Sequence, residues 1–416
     1  MNAGSGIADK LVLDKEWSRL ADFRTLPNID SKLLNQYRLD RIRKKMADDN
    51  VALCLLSNPL SLRYAADIRQ FSIFQARVPV MYLALTIDGP VIAYGGFAQL
   101  QTGSAGVIDE VREGRALTVF QGGAYIGDEM QGFRDDIRSL VKFCGGAGAR
   151  IAIENMSPLV TKALIEEGYD VMDAQIVMEN ARRIKSAEEI ECMKWSIAVA
   201  EHGMAKMRDA LHPGIRENQL WALLNYVNVA NDGEWHDSQQ LTSGPRTNPF
   251  LREASDRAIE DGDLVAFDTD MIGPFGYCAD ISRTFHCGPG KPTREHCNLY
   301  KRALEQLQHN MSLIKPGVTF EEIRTRAYVA PAGYRNIDLL MHGIGMSDEL
   351  PFIQPAQCYR ETPPDGVIEP GMALCIEAYC GREDGPQGVK LEEQVLVTDN
   401  GVEVLTKYPF EQSLLL

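Results

Sequence analysis

Acidic side chains interrupt the apolar, strand-like runs in the second half of the chain, and this feature restricts the fold more than any other. The residues concerned are Asp268 and Asp270 in Phe-Asp-Thr-Asp, Asp280 in Ala-Asp-Ile-Ser-Arg-Thr-Phe, His342 in His-Gly-Ile-Gly, Glu377 in Ile-Glu-Ala and Glu392 in Lys-Leu-Glu-Glu. Burying a carboxylate is unfavourable unless a metal ion or another cation compensates its charge. The fold must therefore bring these acids to a common cation or turn each of them towards solvent.

Carboxylates together with one imidazole are the donors that a pair of divalent ions prefers. A shared carboxylate can bridge two such ions roughly 3.5 to 4 Å apart. The set therefore predicts a two-metal site. An alternative stays open, because each acid taken singly is also compatible with an ordinary strand residue that faces solvent.

The chain as a whole has the size and composition of a two-domain globular protein. Its 416 residues exceed one ordinary folding unit, and its 45% apolar content includes no uninterrupted span of membrane length. Residues 1–22 lack the basic and apolar regions of a secretory signal, which predicts a cytoplasmic location. A net charge of −15 without a Lys/Arg stripe disfavours nucleic-acid binding. Nine cysteines without a C-x-x-C pair predict reduced thiols.

Turn and cap signals divide the chain into three predicted parts. Residues 1–35 show no clear period and are interpreted as an N-terminal extension. Residues 36–182 alternate helix-like and strand-like segments, with a hairpin signal at Asp88-Gly89, as in a small α/β domain. The polar and basic stretch Asn180–Lys185 marks the boundary to a larger domain, residues 183–416.

Helix caps are well marked in this larger domain. Ser186 and Glu189 form a capping box at the start of an amphipathic helix that Pro213-Gly214 ends, and Thr319 and Glu322 form another. Further helices are predicted over Glu217–Ala230 and Arg294–Ile314. Strands are predicted at Leu264–Asp270, Asp280–Phe285, Ala373–Ala378 and Val389–Val397. The mixture indicates an α+β fold.

The order and context of the donors resemble the pita-bread metallopeptidase superfamily, which includes methionine aminopeptidases, prolidases, aminopeptidase P and creatinase. The resemblance covers roughly residues 186–410. It implies a C-terminal pita-bread domain after a smaller creatinase-type domain that helps to close the active site across a homodimer. It also implies two divalent metal ions on the matching residues Asp268, Asp280, His342, Glu377 and Glu392. The first-strand motif departs from the family in two ways: Asp268 is followed by Asp270, and the gap from Asp268 to Asp280 is twelve residues instead of about eleven. Asp270 is therefore an additional candidate ligand.

The matching segments lack the accessory histidines with which peptidase members hold the peptide. The first would lie in Ser243–Leu251, which contains no histidine, and the second falls where this chain has Asp348-Glu349-Leu350-Pro351. Loss of these imidazoles with retention of the metal ligands argues for a reaction other than ordinary peptide hydrolysis.

These departures, together with His-Gly-Ile-Gly-Met-Ser-Asp-Glu, resemble the dimethylsulfoniopropionate lyases of the superfamily, the DddP type. The resemblance implies β-elimination of a small zwitterionic substrate to dimethyl sulfide and acrylate, with iron as the metal and Asp348 as the base. Manganese, zinc and cobalt are compatible with the same donors. Lyase members place a tyrosine a few residues before the ligand histidine; in this chain Ile337 occupies the nearest such site and Tyr334 is close to it.

Two other functions stay open from the sequence. A metal-dependent hydrolase, either an Xaa-Pro type peptidase or a small-amide hydrolase, would need other residues in place of the absent imidazoles. A non-catalytic pita-bread binding module is disfavoured, because it would give no reason to keep five metal donors whose burial is energetically unfavourable. Single residues also have alternative interpretations. Asp348 could be a turn residue, and Arg283 could either pair with a metal-binding carboxylate or be an ordinary strand residue. His202, His296 and His309 are interpreted as surface residues, and Tyr64, Phe71 and Phe74 as core residues or as the wall of a sulfonium pocket.

Overall fold

The computed structural model describes residues 29–69, 72–96 and 106–416, apart from residues 143, 145, 147, 336 and 359–364. Most of the predicted N-terminal extension and Phe71 therefore lie outside the described residues. The helices are α1 Ser31–Asp48, α2 Pro59–Ala66, α3 Ser72–Arg77, α4 Val119–Gly122, α5 Ile126–Val141, α6 Pro158–Glu166, α7 Gln175–Arg182, α8 Ala187–Ala210, α9 Glu217–Ala230, α10 Arg294–Ser312, α11 Phe320–Arg326 and α12 Gln412–Leu415. Short 3-10 turns lie at Gly123–Tyr125, Gly244–Thr247, Pro274–Gly276 and Ala356–Cys358.

The strands fall into two groups along the chain. Those of the first part are β1 Leu53–Leu56, β2 Tyr82–Thr86, β3 Val91–Tyr94, β4 Glu110–Arg112, β5 Arg150–Ile153 and β6 Asp170–Asp173. Those of the second part are β7 Trp235–His236, β8 Leu241–Ser243, β9 Leu264–Asp268, β10 Met271–Ile272, β11 Cys278–Ala279, β12 Ser282–His286, β13 Tyr334–Arg335, β14 Met341–Ile344, β15 Asp348–Ile353, β16 Ala373–Arg382, β17 Gly388–Thr398 and β18 Gly401–Val404.

The first six strands form one mixed sheet in the order β4-β3-β2-β1-β5-β6. Strands β2 and β3 pair antiparallel across Asp88-Gly89, which confirms the predicted hairpin. Helix α1 begins at Ser31, inside the stretch interpreted as an extension. It begins there because the Asp30 carboxylate accepts hydrogen bonds from the backbone N–H groups of Lys32 and Leu33.

Three further sheets make up the second part. Their orders are β11-β10-β7, β12-β9-β8 and β15-β14-β16-β17-β18, with β13 paired to β16. The last two are linked at Thr284, whose hydroxyl accepts from the Lys390 N–H and donates to the Lys390 carbonyl. The β8–β9–β12 sheet and the β14–β17 sheet therefore meet, and the acidic residues lie at this junction.

The predicted capping boxes at Ser186/Glu189 and Thr319/Glu322 are both confirmed. Strand β9 ends at Asp268, two residues before the predicted end. Asp270 has a φ of +36°, which no regular strand allows. The mixture of helices and sheets confirms the predicted α+β class.

Two basic residues of the stretch that we predict as a domain boundary are buried. Lys185 and Arg182 are 6% and 5% exposed, and both contact the carboxylate of Glu349 on β15. One apolar core also runs across the boundary, from Leu34 of α1 to Ile344 of β14. The two parts are thus packed together, and the boundary near residue 182 stays a prediction. Within the described residues, no helix is both long enough and apolar enough to cross a bilayer.

Candidate metal centre and catalytic site

Strand register brings most of the predicted donors to one face of a sheet. Glu377 on β16 lies directly opposite Glu392 on β17, and His342 on β14 lies opposite Cys375 on β16. Because side chains alternate along a strand, residues 375 and 377 point to the same face. The acids are far apart in sequence and adjacent in the sheet.

Three carboxylates surround one ring nitrogen of His342. Its Nε2 lies 3.6 Å from Asp280 Oδ2, 3.6 Å from Glu377 Oε1 and 3.8 Å from Glu392 Oε1. All four side chains are at most about 5% exposed. The predicted solvent-facing alternative is therefore wrong for these residues.

The two acids of Phe-Asp-Thr-Asp lie on the β9 side of the junction. Asp268 is opposite Ser282 in the β9–β12 pair. Asp270 follows the end of β9, and its Oδ2 accepts hydrogen bonds from Ser238 and Gln240. The second acid is thus held by polar neighbours, while the first points into the cluster.

Ligand atoms within 4.8 Å of one another define three groups that could hold a cation. They are Asp280, His342, Cys375 and Glu392; Asp268, Asp270 and Asp280; and Asp268, Glu377 and Glu392. Buried oxygens without a hydrogen-bond partner among the described residues occur on Asp268 (Oδ1), Asp280 (Oδ1), Glu377 (Oε2) and Glu392 (Oε1); Glu377 Oε2 has an ion pair with Lys390. Hard and borderline divalent ions prefer such carboxylate and imidazole donors, so the residues fit the predicted metals.

The electrostatics of the cluster favour added positive charge. Burial and the charges of Glu392 and Asp268 raise the pKa of Asp280 well above its usual range. Burial and Asp268 raise the pKa of Asp270 to about 7. Burial alone would lower the pKa of His342, but Glu377 and Asp348 outweigh it and raise the value to about 10. A divalent ion would relieve the same repulsion that these protons relieve.

Asp348, the predicted base, begins β15 at the open edge of the cluster. Its Oδ1 lies 3.5 Å from His342 Nδ1, whereas the other three carboxylates lie near Nε2 of the same ring. The Asp348 side chain is 64% exposed. Partial desolvation beside the buried cluster and the charge of Glu377 raise the pKa of Asp348, although the charge of His342 opposes them. Asp348 also borders a groove of about 410 Å³ between β15 and α7, which includes Ile176 and Phe352. It is therefore a strand residue with access to solvent, not a turn residue.

Sequence reasoning missed three residues at this site. Trp235 donates from Nε1 to Asp237 Oδ1 at 2.7 Å, and Asp237 is close enough to Asp348 for the Asp348 charge to help burial raise its pKa. Lys390 Nζ lies 2.6 Å from Glu377 Oε2. Lys390 was recognisable in principle, because it precedes Glu392 by two residues and must share its face.

Other sequence interpretations need correction. Arg283 pairs with Glu393 at 2.8 Å and donates to the backbone carbonyl of Glu392, so it supports the β17 backbone and is not a strand decoration. His296 is 8% exposed, because helix α10 packs it against the sheet; it is not a surface residue. Tyr64 is a buried core residue, 1% exposed, whereas Phe74 is 38% exposed.

With this geometry established, comparison with known proteins defines the class. The model of the family described as Metallopeptidase family M24 matches residues 191–399, and the chain belongs to that family. The Xaa-Pro dipeptidase from Bacillus anthracis superposes with a TM-score of 0.71 at 22% identity, covering 91% of this chain and 99% of that one. The pita-bread fold with a preceding N-terminal domain is thereby confirmed.

Among curated relatives, a narrower likeness emerges. The chain is 32% identical over 395 residues to "Dimethylsulfoniopropionate lyase DddP" of Roseovarius nubinhibens, covering 93% of this chain and 88% of the relative. It is 31% identical over the same length to the protein of that name from Roseobacter denitrificans. The chain is therefore similar to these lyases along almost its whole length.

Proposed function

We propose that this protein is a carbon–sulfur lyase that cleaves dimethylsulfoniopropionate to dimethyl sulfide and acrylate. The observation that carries the proposal is the carboxylate of Asp348, 3.5 Å from His342 at the open edge of the carboxylate–imidazole cluster. By the resemblance described above, the peptidase members of the superfamily have an accessory histidine at this position. A carboxylate there suits proton abstraction better than the handling of an amide. The printed names of the two DddP relatives support the same reaction.

The proposed cofactors are two divalent metal ions, with iron as the first candidate and manganese, zinc or cobalt as alternatives. The proposed ligands are Asp268, Asp270, Asp280, His342, Glu377 and Glu392. When bound, such ions would polarise the substrate carboxylate and make the adjacent C–H group more acidic. Cytoplasmic location and a homodimer remain predictions.

The chain's own residues then divide the work of the elimination. The Asp348 carboxylate takes the proton from the carbon next to the substrate carboxylate, and the C–H electron pair becomes the new C=C bond. The C–S bond breaks, and dimethyl sulfide leaves with its electron pair. A raised pKa suits Asp348 to hold that proton. The Asp237 carboxylate, which accepts a hydrogen bond from Trp235, lies near Asp348 and would attract the sulfonium cation.

The test is headspace dimethyl sulfide from purified protein loaded with iron and given dimethylsulfoniopropionate. We expect Asp348→Asn to lower kcat by roughly 10²- to 10⁴-fold, because the amide cannot accept the proton, with metal content unchanged. The matched control is Asp399→Asn, a change of the same kind at an exposed position in the β17–β18 turn, and it should leave kcat unaltered. Full activity of Asp348→Asn would remove Asp348 from the mechanism.

The second candidate is hydrolysis of Xaa-Pro dipeptides or small amides on the same metal centre. The structural likeness to an Xaa-Pro dipeptidase favours it. Absence of dimethyl sulfide with iron, manganese, zinc and cobalt would overturn the lyase proposal. Release of proline from Xaa-Pro dipeptides under the same conditions would then establish the hydrolase.

A further inference from the structure

A lysine lies among the proposed metal ligands. Lys390 is on β17, two residues before Glu392, and is 1% exposed. Its Nζ lies 2.6 Å from Glu377 Oε2, 2.9 Å from Asp268 Oδ2 and 3.2 Å from Glu392 Oε2. It also donates to Ser282 Oγ at 2.6 Å. An ammonium has three donors and no acceptor, so this environment engages all of them.

The contacts of Lys390 divide the carboxylate oxygens into two sets. Lys390 takes one oxygen of Asp268, of Glu377 and of Glu392. The other oxygens of Glu377 and Glu392 lie 3.6 and 3.8 Å from His342 Nε2, and Asp268 Oδ1 has no hydrogen-bond partner among the described residues. The oxygens available to a metal ion are therefore Asp268 Oδ1, Glu377 Oε1 and Glu392 Oε1, which Lys390 does not contact.

Contact with Lys390 also distinguishes one of the three possible cation groups from the other two. Asp268, Glu377 and Glu392 form one of them, and these are the three carboxylates that surround Lys390 Nζ. The other two groups both contain Asp280. Phe250 lies on a further side of the ammonium, with its ring centroid 5.6 Å from Nζ.

We propose that Lys390 is a built-in cation of the metal centre. Its ammonium occupies the space between Asp268 Oδ2, Glu377 Oε2 and Glu392 Oε2, and it keeps divalent ions on the Asp280 side of the cluster, where the other oxygens of these three carboxylates remain free to bind them. Lys390 is a positioning residue that acts through the ligands. This inference rests on the metal centre proposed above but not on the substrate.

Charge balance supports this role. The proposed ligands include five carboxylates, on Asp268, Asp270, Asp280, Glu377 and Glu392, and two divalent ions supply four positive charges. Lys390 supplies the fifth, and the buried centre becomes neutral. A net charge buried in the protein interior would be strongly unfavourable.

The experiment is anomalous diffraction from crystals of the full chain soaked in Mn²⁺. We expect peaks in the parent only on the Asp280 side of the cluster, next to the carboxylate oxygens that Lys390 does not contact, with Nζ still between the three carboxylates. In Lys390→Met, which is neutral and of similar length, we expect an added or displaced peak between Asp268 Oδ2 and Glu377 Oε2. Lys390→Arg, which keeps the charge, should leave that space free of Mn²⁺.

A solution measurement covers the case in which Lys390→Met does not crystallise. Thermal unfolding of protein freed of metal should show a lower Tm for Lys390→Met than for the parent and Lys390→Arg, and a larger rise in Tm when Mn²⁺ is added. Three results would each overturn the inference: Mn²⁺ between Asp268 Oδ2, Glu377 Oε2 and Glu392 Oε2 in the parent, no Mn²⁺ anywhere in the parent, or equal Mn²⁺-induced shifts in all three proteins. None of them depends on lyase activity, so they are distinct from failure of the substrate proposal.

Discussion

The two ring nitrogens of His342 have different environments. Nε2 faces Asp280, Glu377 and Glu392, whereas Nδ1 lies 3.0 Å from the carbonyl oxygen of Gly343 and 3.5 Å from Asp348. A proton on Nδ1 can therefore be shared with oxygen acceptors while Nε2 remains a lone-pair donor. This is the arrangement that orients metal-binding histidines in proteins.

Replacing His342 should remove one metal ion and leave the other. In His342→Gln we expect metal content to fall from about two to about one ion per chain, because the group of Asp268, Asp270 and Asp280 remains complete. Elemental analysis after desalting measures it. His309→Gln, at an exposed position on α10, is the matched control. Equal metal content in the two variants would mean that His342 is not a ligand.

Side chains along β15 alternate between exposed and buried positions, and this alternation places Asp348 on the exposed face. Asp348, Leu350 and Phe352 are exposed, whereas the residues between them are buried. Glu349 is the buried neighbour of the proposed base, and it contacts Lys185 Nζ at 2.7 Å and Arg182 Nε at 3.3 Å. The connection between the two parts of the chain thus fixes the strand on which the base lies.

Neutralising Glu349 should destabilise the protein. Glu349→Gln leaves two buried cations short of their partner, so we expect a loss on the order of 3 to 5 kcal/mol in the free energy of unfolding. The midpoint of urea denaturation measures it, at an unchanged m value. Glu403→Gln, at a side chain that is 52% exposed, is the control. Equal midpoints for the two variants would show that the buried contacts are not required for stability.

At the scale of the whole molecule, one buried acid links stability to pH. Glu154 lies at the end of β5, 5% exposed, and accepts a hydrogen bond from Ser61, while its Oε1 has no such partner among the described residues. Burial raises its pKa from 4.5 to about 7, although Ser61 and Arg182 oppose the shift. The folded protein therefore binds a proton at Glu154 that the unfolded chain releases between these two values.

This difference predicts how stability depends on pH. A raised carboxyl pKa contributes stability at low pH, and that contribution is lost as pH rises from about 4.5 to about 7. Glu154→Gln lacks the titration, so we expect it to gain on the parent with rising pH, by on the order of 3 kcal/mol across that window. Denaturation at a series of pH values measures the gain. Glu260→Gln, at a side chain 76% exposed, should run parallel to the parent. A constant difference between Glu154→Gln and the parent would contradict the prediction.

The sequence by itself determined the class of fold, the helix caps and the identity of the acidic cluster. Caps such as Ser186/Glu189 are local, since the side chain and the N–H groups it bonds lie within one turn. The donors were predictable as a set because carboxylates such as Glu377 and Glu392 stand in apolar strand runs, where burial requires a compensating cation, and because their order resembles that of a known family.

Only the tertiary structure decided which groups share the cluster and how its charge is divided. Lys390 reaches Asp268, which lies 122 residues away in the chain, because β17 meets the β9–β12 sheet. Trp235 and Asp237 carry no local signal of function, and Asp237 lies near Asp348 although β7, which precedes Asp237, pairs with β10 and β15 pairs with β14. Such contacts depend on sheet register and packing between distant segments, and the local sequence does not encode them.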